Sequence, residues 1–308
     1  MLIFLLACTG ALDSSEISDT IEVPVDRCEN KNAGTLVFPE VDAPHAEVPE
    51  ERWSWAGRVA DTSGQAFRVS LDFRSVGGQT TAVATLLPEA DAQRGIQEEG
   101  EGSATSSEGF VLEAGGLSAA GGGGRDVLTV QAAMWSWELV VAERKSVIVH
   151  QETGKWTGYS RPRMSAHGRV VDAAGTTVEV EGELWFEHLW GGASGPEQRV
   201  QLSLADGRDF RVLYDGSQTR VQGLRSDCTA LEPDTASWLA DLSWSSPATG
   251  CSWPVAGTVA VGAESWALAP LLQDQELPQA GGAFWWGAMA VSGSGPGTAF
   301  LRVSEDCP

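Results

Sequence analysis

The chain has 308 residues, of which 42% are hydrophobic, so it can bury a real core as one large domain or two of ordinary size. Lysine and arginine number 20 against 42 aspartates and glutamates, a net charge of −22. So acidic a chain repels phosphate backbones and anionic membrane surfaces, which excludes nucleic acid as a partner. The carboxylates are scattered without calcium-loop spacing, and their expected role is solubility.

The chain opens Met1-Leu2-Ile3-Phe4-Leu5-Leu6-Ala7-Cys8. Leu5-Leu6-Ala7-Cys8 fits a bacterial lipobox, in which Cys8 is lipidated and becomes the new N-terminus. The apolar run is too short to span a bilayer and lacks the positive start of a secretory signal. Either the true start lies upstream or this is a chance apolar N-terminus; because a polar, acidic segment follows, the favoured expectation is a lipoprotein-type signal segment over residues 1–8 and an acidic tether over residues 9–44. This implies an exported protein of the bacterial cell envelope, held on a membrane through lipid at Cys8. Removing Cys8 leaves Cys28, Cys228, Cys251 and Cys307, an even number in an oxidising compartment. Four cysteines allow three pairings. Cys228–Cys251, close in sequence, with Cys28–Cys307 joining the ends, is the favoured set. There is no C-x-x-C spacing and no clustering of histidines along the chain, so no metal and no cofactor is expected.

Beyond the tether the pattern is strand-rich. Two candidate strands, Ser54–Ala60 and Ala66–Phe73, flank Asp61-Thr62-Ser63-Gly64, a short polar loop ending in glycine between alternating runs. The segment from Gly95 to Gly124, with Gln97-Glu98-Glu99-Gly100-Glu101-Gly102 and Gly121-Gly122-Gly123-Gly124, is expected to be a mobile insertion. Val127–Ala132, Ser136–Ala142 and Ser146–His150 form a meander. The hairpin grammar recurs around Asp172-Ala173-Ala174-Gly175 and Asp206-Gly207. A weak echo between Gly57-Arg58-Val59 and Gly168-Arg169-Val170 suggests two barrels of related design, over residues 45–150 and 151–308. Strands at this spacing with no long helical period predict an all-β chain.

Trp185-Phe186-Glu187-His188-Leu189-Trp190 sets a carboxylic acid beside an imidazole between two tryptophans. With the preceding Tyr159-Ser160-Arg161-Pro162-Arg163 and Val180-x-Gly182, it resembles the carotenoid 1,2-hydratase (hydroxyneurosporene synthase) or AttH-like family, which shows Tyr-Ser-x-x-Arg followed by Trp-x-Asp-His-x-Trp. Trp53-Ser54-Trp55, Val147–His150, Ser243-Trp244-Ser245-Ser246, Leu271–Leu277 and Phe284-Trp285-Trp286-Gly287 resemble further family segments in the same order, over about residues 50–303. The resemblance implies two packed lipocalin-like antiparallel β-barrel domains with an apolar pocket in or between them. It implies either a binding protein for an apolar small molecule (a polyene, terpenoid or lipid-like compound), or a hydratase or cyclase that protonates an alkene. A structural surface lipoprotein without ligand is the third reading. Two positions depart from the family: Glu187 stands where the hydratases carry aspartate, and Trp286 replaces a carboxylate.

Protonating an alkene needs a poised acid in an apolar setting and an electron-rich wall for the carbocation. Glu187 is the candidate acid, with His188 and Tyr159 holding water. Trp53, Trp55, Arg163, Trp185, Trp190, Trp285 and Trp286 are the candidate pocket wall. Strict alternation puts Val178, Val180, Leu184, Phe186, His188 and Trp190 on one face and Glu187 on the other. A bulge near Gly182 would reverse this. The bland alternative is a core histidine at 188 and an interdomain acid at 187, paired with Arg161 or Arg163.

Overall fold

The computed structural model describes residues 34, 36–90, 94–106, 109–151, 156–192, 197–231, 235–279 and 282–304. Cys8, Cys28 and Cys307 lie outside the described residues. In chain order the strands are β1 (Glu50–Ala60), β2 (Ala66–Val76), β3 (Gln79–Pro88), β4 (Gly95–Thr105), β5 (Phe110–Ala114), β6 (Leu117–Gly122), β7 (Arg125–Gln131), β8 (Ser136–Ala142), β9 (Ile148–Gln151), β10 (Trp156–Val171) and β11 (Thr177–Gly191). They continue as β12 (Glu197–Leu204), β13 (Asp209–Tyr214), β14 (Thr219–Leu224), β15 (Ala230–Leu231), β16 (Ala236–Ser245), β17 (Ser252–Val261), β18 (Glu264–Pro270), β19 (Glu276–Gln279), β20 (Gly282–Gly293) and β21 (Gly297–Ser304). The one helical turn among the described residues is a 3-10 turn over Glu40–Asp42.

The turns form as their residue types require. Asp61 accepts from the backbone N–H groups of Ser63 (2.9 Å) and Gln65 (2.8 Å), and Gly64 takes a φ of 91°. Asp172 does the same for Ala174 and Thr176, both at 2.9 Å, with Gly175 at φ 80°. Aspartate side chains thus satisfy the loop amides, and glycine supplies the left-handed residue.

Strands β1 to β8 form an antiparallel meander, and β10 and β11 close it: β10 pairs with β8, β11 pairs with β10, and β1 pairs with β11. The result is a closed ten-stranded barrel, with β9 as an extra strand on β10. The second sheet, in the order β15-β14-β13-β12-β21-β20-β18-β17-β16, curls into a half-barrel, and Trp238 of β16 returns to Thr219 of β14 at 3.2 Å. All-β architecture with two lipocalin-like units therefore holds.

Three expectations are corrected. The expected boundary at 150/151 falls inside the first sheet, because β10 and β11 are the strands that close that barrel. The sheets change between Gly191 and Glu197. Residues 95–124 are not a loop but supply β4, β5 and β6 of the barrel wall, with Phe110, Leu112, Leu117 and Ala119 pointing into its core. Residues 36–44 of the expected tether pack against the barrel: Leu36, Phe38 and Val41 lie on its core, and Asp42 is fully buried.

The first core holds Trp53, Trp55, Phe67, Phe73, Phe110, Trp137, Tyr159 and Phe186, and the second holds Trp238, Trp253, Trp266 and Trp285. Between the units a third apolar cluster sets Ala56 and Val83 of the barrel exterior against Leu277, Phe284, Trp286, Ala288 and Phe300. Charged pairs flank it. Arg302 of β21 binds Asp72 of β2 (2.9 and 3.3 Å), and Lys145 binds Asp209 (2.5 Å).

Candidate functional site

Alternation in β11 runs unbroken through Gly182, whose pairing with Val59 and Ala166 shows no register shift. Glycine is there for close approach: a Cβ would lie 2.0 Å from the Arg58 carbonyl oxygen. The bulge lies in β10 instead, between Arg161 and Met164, where Arg163 takes a φ of 53°. Tyr159 and Arg161 therefore point inward with Met164, while Arg163 turns out to Asp209 (2.8 Å) and Glu183 (3.3 Å) and pins the two units together. Arg163 is a structural clamp and not part of a pocket wall.

Glu187 and His188 consequently face opposite ways, as alternation requires. Glu187 is buried at the junction with the second sheet. Its Oε1 accepts from Arg211 Nε at 2.8 Å and its Oε2 from Arg199. Burial alone would raise its pKa, but Arg199 and Arg211 outweigh burial and hold it below the usual carboxylate range. At neutral pH it has no proton to give, so the role of acid expected for Glu187 does not fit. Its partners are Arg199 and Arg211, not Arg161 or Arg163. His150 lies 3.7 Å away and hydrogen-bonds Ser160 (2.8 Å) and Gln222 (3.1 Å).

His188 faces the barrel interior, stacked on Trp53 with ring centroids 4.9 Å apart. Its Nε2 lies 2.7 Å from Glu51 Oε1, and His45 Nδ1 lies 2.6 Å from the same oxygen. His45 in turn stacks on Trp190 at 4.2 Å. Burial lowers the His188 pKa more than Glu51 raises it, so the ring is neutral at pH 7.

A second polar group lies beside it. The Tyr159 hydroxyl donates to Asp42 and accepts from Arg161 (3.2 Å). Arg161 also binds Asp42 (2.9 Å) and Glu143 (2.8 Å), and its guanidinium lies over the rings of Phe38, Tyr159 and Phe186. Asp126 accepts from Trp55 Nε1 at 3.0 Å. Full burial pushes the Asp126 carboxyl up to about 7 against the opposing pull of Arg161 and Trp55. It is the carboxyl in this barrel poised to hold a proton near neutrality.

Of the expected site residues, Tyr159, His188, Trp53, Trp55 and Trp190 converge in the first barrel. The others do not join them. Trp185 packs on Ile148 and Leu224, Trp286 sits in the apolar junction, and Trp285 belongs to the second core. Glu51, Asp126, Asp42 and His45 were not singled out. Glu51 shares the face of Trp53 and Trp55, and Asp126 that of Leu128 and Val130, so strand parity carried a signal for both. Nothing local marks Asp42 or His45. Cys228 and Cys251 are buried, and both are disulfide-bonded.

The AttH-like family model matches residues 92–304. Two crystal structures share the fold. One, a protein named as an AttH from Nitrosomonas europaea, is 18% identical, with a TM-score of 0.76 over 87% of this chain and 96% of that one. The other, kievitone hydratase from Nectria haematococca, is 12% identical, with a TM-score of 0.72 over 90% of this chain and 95% of that one. A search of curated proteins gives no match. With more than half its length matched by the model, the chain belongs to the AttH-like family.

Proposed function

We propose that this protein is an exported, lipid-anchored AttH-like protein that holds one apolar small molecule, of polyene, terpenoid or lipid-like chemistry, in its first barrel. The observation that carries this reading is the strap over residues 36–45. It is not part of the barrel wall, yet Leu36, Phe38 and Val41, each half-buried, pack their apolar side chains against the barrel core. Trp53, Trp55, Tyr159, Phe186 and His188 beneath it have no exposed surface, so no water-sized space touches them. A ligand enters by displacing the strap, and the aromatic walls then supply its contact area.

A second reading, a hydro-lyase that protonates an alkene, is favoured by Asp126. Its raised pKa keeps a proton available near pH 7, and Trp55, Phe110 and Phe186 form the kind of aromatic surround that steadies a cation. A hydratase among the proteins of like fold supports it. In this reading Asp126 takes the role first expected of Glu187.

Export, the anchor at Cys8 and a disulfide frame drawn from Cys28, Cys228, Cys251 and Cys307 belong to the same proposal. Native mass spectrometry of the protein purified from membranes tests its centre. One bound apolar compound, released by organic solvent, is expected. A bare chain that also takes up nothing from a total lipid extract contradicts it. Peptide mapping without reductant reads the acylation of Cys8 and the cysteine pairing.

A further inference from the structure

We propose that His45, Glu51 and His188 form a binding site for a single first-row divalent cation, zinc(II) above all, at the mouth of the first barrel. Three parts of the chain converge there: the loop before β1, β1 itself and β11. The potential ligand atoms, one from each residue, all lie within 4.8 Å of one another. Both imidazoles aim a nitrogen at the same oxygen, Glu51 Oε1, at 2.6 and 2.7 Å. Two histidines and one glutamate are a donor set that zinc(II) takes, with a further position left to water.

The surroundings fit a cation. His188 is fully buried and Glu51 nearly so, while the His45 side chain is 28% exposed, which leaves a path from solvent. Trp190 and Trp53 stack on the two imidazoles and fix their planes. The backbone N–H of His45 donates to Glu51 Oε2 at 2.9 Å, so the second carboxylate oxygen is already held while Oε1 faces the histidines.

Tetrahedral zinc with bonds of about 2.0–2.1 Å holds its ligand atoms roughly 3.3 Å apart, so the 2.6 and 2.7 Å contacts must open to admit the ion. That movement falls on His45, which lies in a loop, and on the Glu51 side chain, and not on His188, which is fixed in β11. Coordination through His188 Nε2 shifts its proton to Nδ1, which has no hydrogen-bond partner among the described residues. Lacking the usual outer-shell acceptor, the site should be weaker than a closed structural zinc centre. A bound ion would tie the strap to the barrel through His45.

Cobalt(II) titration of the full chain, after chelation and dialysis, tests the site. The wild type is expected to bind one ion with the visible bands of a four- or five-coordinate centre, and zinc(II) should displace it. His45→Ala, on a loop, should leave far-ultraviolet circular dichroism unchanged and weaken binding by roughly tenfold or more. Glu51→Gln should do the same. Absence of binding by the folded wild type, or equal binding by wild type and His45→Ala, overturns the proposal.

Discussion

Arg211 Nε lies 2.8 Å from Glu187 Oε1, across the junction between β13 of the half-barrel and β11 of the closed barrel. With Arg199 on the other carboxylate oxygen, Glu187 is the acidic half of a buried ionic lock. Glu187→Gln removes the carboxylate charge that the two buried guanidinium groups share, while Arg199 keeps its pairing with Glu197. Breaking a buried pair costs about 3–5 kcal/mol. Urea denaturation should show a loss of that size. A loss below about 1 kcal/mol, the range of exposed pairs, would contradict the lock.

Asp126 is fully buried and hydrogen-bonded by Trp55 Nε1. Its carboxyl is raised from 3.8 to about 7, so the folded state holds the proton more tightly than the unfolded state does. As pH rises from about 4 to about 7 the unfolded chain releases that proton first, and the contribution of this group to stability falls. The full difference corresponds to roughly 4 kcal/mol. Asp126→Asn should remove this fall and be the more stable protein above pH 7. Parallel stability curves for the two proteins from pH 4 to 8 would show that Asp126 titrates normally.

Much of this arrangement was legible in the sequence. Strict alternation in β11 placed His188 with Phe186 and Trp190 and set Glu187 apart, and the observed register agrees. The Asp–Gly loops marked their hairpins. The role of β10 and β11 as closing strands was not legible, because the β1–β11 pairing joins segments more than a hundred residues apart and no local pattern records it. The same holds for Asp42, whose partners Tyr159 and Arg161 are 117 and 119 positions away. Low hydrophobicity misrepresented residues 95–105: β4 sits on the barrel with half-buried and exposed faces, and needs few apolar side chains.

Gly182 gives a test of barrel closure. A methyl group there would meet the Arg58 carbonyl at 2.0 Å and the Val59 Cα at 2.7 Å, both backbone atoms that cannot swing aside. Gly182→Ala should cost about 1–3 kcal/mol, as overpacking does, and lower the melting temperature. Gly175→Ala tests the hairpin separately: its Cβ meets nothing, but its φ of 80° disfavours any other residue, so a smaller loss is expected.

The strap over residues 36–45 lies against the core of the first barrel. Asp42 fastens it to Tyr159, Arg161 and the Gly123 N–H (2.7 Å). If the strap competes with a ligand for the barrel, loosening it must tighten apparent binding, because affinity scales with the population of the open form. The direct measurement is titration with all-trans-retinol, a polyene probe, followed by quenching of tryptophan fluorescence in the wild type and in folded Asp42→Asn. Saturable binding with one site is predicted, tighter in Asp42→Asn by roughly tenfold, the equivalent of about 1.4 kcal/mol. No saturable binding in either protein, or binding no tighter in Asp42→Asn than in the wild type, would contradict a strap-gated ligand chamber.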